Sequence, residues 1–135
     1  MIVMELPSTR EEAWRWADTA GIAAAAALPR AVAADASGWF LDLPGARIVV
    51  IDGVVDEAAS ELGRVTLRQI ATGDHALAAR ASGQGWSLHL DADAASDPVQ
   101  LVHVATGAAN HLPAEIVLAD NAVAQVVETL SLIHI

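Results

Sequence analysis

The chain has 135 residues, of which 54% are hydrophobic and 18% are charged, a composition typical of one globular domain with a core. Its net charge of −10 argues against binding to nucleic-acid phosphates or to anionic lipid. The absence of cysteine excludes disulfides and thiolate metal ligands and fits a reducing compartment.

The N-terminus carries no basic-then-apolar pattern of a signal peptide. The longest apolar run, Gly21–Pro29, is far shorter than the roughly 20 residues that a membrane helix needs. We therefore expect a soluble, cytoplasmic protein without membrane or nucleic-acid partners.

The first predicted element is a helix after Pro7. Ser8 with Glu11, and Thr9 with Glu12, have capping-box spacing. The pattern predicts a helix to about Ala20 that ends at Gly21, with Trp14 and Trp16 packing on its core face. A second helical segment is predicted over Ile22–Leu28, and Ala31–Gly45 is predicted to be a loop in which Trp39, Phe40 and Leu41 are buried.

Strands dominate the rest of the chain. Arg47–Ile51 is predicted to form a hairpin with Val54-Val55, because Asp52-Gly53 favours a type I′ turn. Val65–Ile70 alternates like a half-exposed strand, and a short helix is predicted over Asp74–Ala81. Four further strands are predicted at a spacing of about a dozen residues, which is typical of a sandwich, barrel or β-helix: Trp86–Leu90, Val99–Val104, Ala114–Leu118 and Val123–Thr129.

Most of Val99–Val104 is apolar on both alternating faces, so we expect it to be covered on both sides or to lie in a parallel stack. The turn signals around it are Gly107, Asn110, Pro113 and the pair Asp120-Asn121.

Histidines offer one candidate metal site, and the carboxylates of Asp91, Asp93 and Asp97 offer a second, for a hard cation such as calcium. Three of the five, His89, His103 and His111, lie on or beside the late strands, and three imidazoles on a β scaffold can bind a divalent metal as in a cupin-like enzyme. Their spacing matches no HxH or HExxH motif, which favours ordinary strand histidines. No catalytic, cofactor-binding or metal residue is assigned from these patterns.

Other motifs point to no chemistry. Asp91, Asp93 and Asp97 lack the glycine and terminal glutamate of an EF-hand loop, which favours a solvated turn. There is no GxSxG motif, and Gly83-Gln84-Gly85 lacks the Lys-Ser/Thr pair of a phosphate loop.

Two stretches resemble the SufB/SufD family of the SUF iron–sulfur cluster assembly system, and SufD in particular. Leu6–Asp18, LPSTREEAWRWAD, matches the family's opening pattern, and Pro98–Glu128 matches two later ones. Arg47–Val54 resembles the family's hairpin. The matching residues of the first stretch are Pro7, Thr9, Arg10, Glu12, Ala13, Trp14 and Asp18. Those of the second are Pro98, Leu101, His103, Val104, Ala105, Thr106, Gly107, Pro113, Val117, Leu118, Ala122, Ala124, Val127 and Glu128.

The resemblance implies a mainly β, α+β fold in which a helical N-terminal segment (residues 1–45) precedes a hairpin and the first turns of a right-handed parallel β-helix (residues 46–130). It implies a non-enzymatic scaffold subunit that pairs with SufB, binds the ATPase SufC and takes part in iron–sulfur cluster assembly. The family's residues for cluster building and SufC binding lie toward its C-terminal end, so none is carried onto this chain. Ala114-Glu115 and Asn121 depart from the family pattern, which tends to have Arg-Asn and Gly there.

Family members are several hundred residues long, so we expect this chain to be an N-terminal portion, with Ser131–Ile135 (SLIHI) as a non-native tail. A β-helix cut after its first turns has an open strand edge, which predicts marginal stability or self-association. Two alternatives remain open: a small cupin-like metalloenzyme using His89, His103 and His111, and a generic β-rich interaction module.

Overall fold

A computed structural model describes residues 8–27, 29, 35–70, 85–93, 97–107 and 113–132 of the chain. These residues form a mixed α/β structure that consists mostly of strands. The helix α1 spans Thr19–Ala26, and two short 3-10 helices span Glu12–Trp14 and Ser37–Trp39. The strands are β1 (Arg47–Ile51), β2 (Val54–Val55), β3 (Thr66–Ile70), β4 (Gly85–Leu90), β5 (Val99–Ala105), β6 (Ala114–Leu118) and β7 (Val126–Leu132).

The strands form two mixed sheets. Sheet A has the order β2-β1-β5-β7, and sheet B has the order β3-β4-β6. The β1–β2 and β3–β4 pairs are antiparallel, whereas β1–β5, β5–β7 and β4–β6 are parallel. From β4 onward, successive strands therefore lie alternately in sheet B and sheet A. Within each sheet the later strand is parallel to the earlier one, β6 to β4 and β7 to β5.

The predicted hairpin is confirmed. Asp52 and Gly53 have φ angles of 49° and 81°, and β2 pairs with the end of β1. A type I′ turn needs positive φ at both central residues, which glycine adopts freely and aspartate tolerates. The bounds of β1 are as predicted.

The main core lies between the two sheets. Residues of one alternating face of each sheet meet there, including Ile48 and Val50 of β1, Leu101 of β5 and Leu88 of β4. Each is essentially inaccessible to solvent, so this layer supplies most of the apolar burial that stabilises the described fold.

The opposite face of sheet A is also covered. Val49, Val102 and Val104 form a second cluster with Ala36, and Phe40 packs against it. The side chain of Gln100 accepts from the backbone N–H of Leu41 at 2.8 Å and donates to its carbonyl at 3.1 Å. The prediction that β5 is covered on both sides is confirmed.

The predicted N-terminal helix is wrong. The Ser8–Glu11 cap forms in part, with the Ser8 N–H donating to Oε1 of Glu11 at 3.1 Å, but only one 3-10 turn follows. The α-helix begins later, because the Asp18 side chain accepts from the Gly21 N–H at 2.8 Å and caps α1. Gly21 therefore lies inside α1 and does not end a helix, and α1 includes Ile22–Ala26 of the second helical segment predicted over Ile22–Leu28.

Several aromatic and apolar side chains of this region are not buried as predicted. Trp16 is 89% exposed, with the Arg15 guanidinium 5.2 Å from its ring centroid. Trp39 and Leu41 are also exposed, while Phe40 is half-buried beneath the Arg47 guanidinium. Among the described residues of this region, Ala36 and Phe40 join the outer cluster of sheet A, whereas Trp39 and Leu41 face solvent.

The later strands agree with prediction except for β7. β6 has its predicted bounds, whereas β7 begins three residues later than predicted and runs through Ser131-Leu132, where it pairs with Val104-Ala105. The boundary proposed after residue 130 therefore falls inside a strand. The helix predicted over Asp74–Ala81 and residues Ile133–Ile135 lie outside the described residues.

Candidate functional site

The outermost strands β6 and β7 present apolar side chains on the face that, in the inner strands, forms the core. Ile116 pairs with Leu88 and Leu118 with Leu90, so all four point to the same side of sheet B. The inner pair is buried, but Ile116 is 47% and Leu118 46% exposed. β6 therefore has core-like residues without a covering strand on its outer side.

β7 has the same property in sheet A. Leu130 pairs with His103 on the inward-facing row of β5 and is 72% exposed. We call the surface formed by Ile116, Leu118 and Leu130 the open edge. An outermost strand that carries exposed apolar residues is a template for pairing with another chain or strand, so the open edge is the candidate interaction surface.

Polar groups beside the open edge are tied to the preceding strand. Oε1 of Glu128 lies 2.9 Å from Nε2 of His103, across the β5–β7 ladder. The His103 ring lies 6.2 Å from the Trp86 ring, centroid to centroid, so it points into the space between the sheets. Glu128 is half exposed, and this contact contributes little to stability on its own.

A second polar group links β4 to β6. The Ser87 hydroxyl donates to Oε2 of Glu115 at 2.7 Å, and Nε2 of His89 lies 2.8 Å from the Ser87 hydroxyl oxygen. With the hydroxyl proton directed to Glu115, His89 is the donor in the second bond. A nucleophilic serine gives its proton to the histidine instead, so this arrangement acts as a cross-link between strands.

The histidines of the alternative metal site are not brought together in the part of the chain that the structure describes. His89 lies on sheet B and bonds to Ser87, whereas His103 lies on sheet A and bonds to Glu128. His111 lies outside the described residues. Within those residues no group of three or more histidine or acidic side chains could hold a metal ion.

Sequence reasoning missed the partners of these histidines. Ser87 is buried although it is polar, and Glu115 reaches it from a strand 28 residues away. Of the two acidic partners, Glu128 matches the family pattern, whereas Glu115 departs from it. Only the register of the parallel pairs brings these side chains together.

Comparisons with models of known protein families and with curated proteins found no match to this chain. Among the described residues, no helix is long and apolar enough to span a membrane.

Proposed function

We propose that this chain is the N-terminal part of a SufD-like scaffold subunit, which takes part in iron–sulfur cluster assembly through protein–protein contacts and without catalysis of its own. The proposal rests on the resemblance of Leu6–Asp18 and Pro98–Glu128 to the SufB/SufD family. Its expected partners are SufB and SufC.

The sheet order is the observation that carries the proposal. β4, β5, β6 and β7 alternate between the sheets, with β6 parallel to β4 and β7 parallel to β5. A solenoid with two strands per turn produces this order, because each turn adds one parallel strand to each sheet. We accordingly propose that residues 85–132 form the first turns of a right-handed parallel β-helix, as in the family.

The open edge supports a role in association. In a solenoid each turn is stabilised by its neighbours, and an outermost turn with apolar inward residues needs a partner or a cap. Ile116, Leu118 and Leu130 are the residues that such a partner would cover. A scaffold subunit that works by stacking and docking requires a surface of this kind.

Coexpression with SufB and SufC tests the proposal. We expect the tagged chain to retain SufB or the SufB–SufC pair on an affinity resin, and to lose it when Ile116→Lys and Leu130→Lys are combined. Val123→Lys is the matched control, because Val123 is exposed and apolar but lies in the loop before β7. Retention of neither protein by the unchanged chain would refute the proposed partnership.

The cupin-like alternative has no support from the described geometry, since His89 and His103 have separate partners on separate sheets. A generic interaction module would also use the open edge but would bind other partners. The same coexpression experiment therefore separates the two functions, because only the scaffold subunit should retain SufB or the SufB–SufC pair.

A further inference from the structure

Sheet B has an outermost strand at each end, and the two ends are complementary. Its order is β3-β4-β6, so β3 lies at one end and β6, which belongs to the open edge, lies at the other. Among the described residues, no further strand pairs with the outer side of either. Thr66 and Arg68 of β3 are exposed, as are Glu115 and Ile116 of β6, so both ends are accessible to another chain.

At the β6 end, the backbone of Ile116 is directed outward. The Trp86 N–H donates to the Pro113 carbonyl at 3.1 Å, so Pro113 directs its carbonyl toward β4. Successive residues of a strand direct their N–H and C=O groups to opposite sides, so those of Ile116 point away from β4. The Ile116 side chain lies on the face of the main core, because it shares a row with Leu88.

At the β3 end, the backbone of Leu67 is directed outward in the same way. Since Trp86 directs its N–H toward β6, Ser87 directs its backbone groups toward β3, where it is paired with Arg68. Arg68 therefore directs its N–H and C=O to β4, and those of Leu67 point away from it. The Leu67 side chain also lies on the core face, in the row of Leu88.

Placing Leu67 of one copy opposite Ile116 of another matches both ends at once. In an antiparallel pair, directly opposed residues whose backbone groups face each other exchange two hydrogen bonds. Both side chains then lie on the inner face of the continued sheet and cover each other. The adjacent pair brings Arg68 opposite Glu115 on the outer face, and opposite charges in directly opposed positions stabilise a strand pair.

The charges of this second pair are free to meet. Within the described part of the chain, Arg68 forms no ion pair. Oε2 of Glu115 accepts from the Ser87 hydroxyl at 2.7 Å, which holds the carboxylate on the outer face beside the incoming strand. Pairing of β6 with a second β6 about Ile116 would instead place Glu115 opposite Val117, an apolar residue. The charges therefore favour β3 as the partner of β6.

We propose that copies of this chain associate head to tail, with β3 of one copy antiparallel to β6 of the next and Leu67 opposite Ile116. The two surfaces differ, so the contact is heterologous, and each added copy brings a further free β3 and β6. The assembly therefore grows as a series and does not stop at a symmetric dimer. This stacking requires neither SufB nor SufC and does not depend on the scaffold role.

Disulfide trapping in the cysteine-free chain tests the register. In the proposed pair Thr66 lies opposite Val117 at a position without hydrogen bonds, so their Cα atoms should be about 4.5 Å apart, within reach of a disulfide. Within one copy the two residues lie in register with His89 on either side of β4, about 10 Å apart, too far for a disulfide.

A mixture of Thr66→Cys and Val117→Cys should therefore form a mixed disulfide dimer on mild oxidation, while either variant alone should form little dimer. Leu118→Cys in place of Val117→Cys is the matched control. Leu118 is on the same strand but on the opposite face from the Thr66 position, so it should form no mixed disulfide with Thr66→Cys.

Charge reversal tests the contact by a rescue that a purely structural effect would not give. Arg68→Glu and Glu115→Arg should each weaken association about fivefold in sedimentation equilibrium, and the double variant should restore it. Arg64→Glu and Asp120→Arg are the controls, because they make the same charge changes at exposed positions outside the two strands. The cysteine pair keeps both charges, so it tests the register independently of any effect of Glu115→Arg on folding.

Three results would overturn the proposal. The first is no more mixed disulfide with Val117→Cys than with Leu118→Cys. The second is as much disulfide dimer from either variant alone as from the mixture, which would indicate symmetric pairing of like strands. The third is equal weakening by Arg64→Glu and Arg68→Glu, which would indicate a general charge effect.

Discussion

Asp52 joins the β1–β2 turn to the end of β5, and we expect its removal to be the most destabilising single polar change in the described structure. The Thr106 N–H donates to Oδ1 of Asp52 at 2.8 Å, and the Thr106 hydroxyl donates to Oδ2 at 2.5 Å. The Asp52 N–H also donates to the Val104 carbonyl at 2.9 Å. Asp52 is 7% exposed, so water replaces these contacts poorly.

The expected loss follows from two terms. Asp52→Ala removes two buried hydrogen bonds to a carboxylate, which together contribute about 3–6 kcal/mol to the free energy of unfolding, since each such bond contributes about 1.5–3 kcal/mol. It also places alanine at a φ of 49°, which adds about 1 kcal/mol. Asp52→Gly removes the same bonds without that backbone strain, so it should be less destabilising than Asp52→Ala by about 1 kcal/mol.

Urea unfolding followed by far-ultraviolet circular dichroism measures these differences. Asp120→Ala is the matched control, since Asp120 is an exposed aspartate in the turn before β7 and should change the free energy of unfolding by less than about 0.5 kcal/mol. Thr106→Val keeps the N–H bond and removes the hydroxyl bond, so its cost should fall between those of the control and Asp52→Gly. If Asp52→Ala unfolds with the same midpoint as Asp120→Ala, the turn-to-strand link does not stabilise the fold.

Further outcomes are expected at other sites. Sedimentation velocity should show concentration-dependent association that Ile116→Lys reduces, and a monomer at every concentration would contradict the open edge as an association surface. Metal analysis of purified protein should find no stoichiometric metal, whereas bound metal lost on His103→Ala would favour the cupin-like alternative. Glu128→Gln should cost less than about 1 kcal/mol in urea unfolding, because the pair that it breaks is partly exposed. Hydrogen bonds from Ser37 lower the pKa of Asp35; the bond from the backbone N–H has the larger effect, and that from the hydroxyl the smaller. Their contribution to folding stability is therefore complete above the ordinary aspartate pKa and is lost as the pH falls through the lowered pKa of Asp35. Carboxyl NMR titration should show a lowered Asp35 pKa that Ser37→Ala raises only partway.

Local signals in the sequence predict the hairpin and most strands. The sequence Asp52-Gly53 is sufficient to predict the β1–β2 turn, because the turn needs positive φ angles at both positions. Aspartate and glycine adopt such angles, whereas most other residues are strained by them. β6 is bounded by Pro113 on one side and by the Asp120-Asn121 turn on the other, where Asn121 adopts a φ of 62°. In these places local chemistry and tertiary structure favour the same backbone.

The failures occur where two local signals compete or where the partner is distant in sequence. Ser8–Glu11 and Asp18 are both plausible helix caps ten residues apart, and the structure forms the helix at Asp18. The link from Asp52 to Thr106 spans 54 residues, and that from Ser87 to Glu115 spans 28. No local pattern indicates such partners, because they depend on which strands lie side by side.

The exposure of equivalent positions across sheet B gives the strongest physical reason to expect a further layer on the open edge. Leu67, Leu88 and Ile116 occupy one row across β3, β4 and β6. Leu88, in the middle, is fully buried, whereas Ile116 at the outer strand is nearly half exposed. An outer strand adapted to solvent would carry a polar or charged residue in that row. Covering Ile116 and its neighbours Leu118 and Leu130 would remove apolar surface from water, a gain of about 25 cal/mol for each Å² buried. A strand that pairs with the open edge should therefore carry apolar residues in register with Ile116 and Leu130, and a strand with charged residues at those positions should fail to bind.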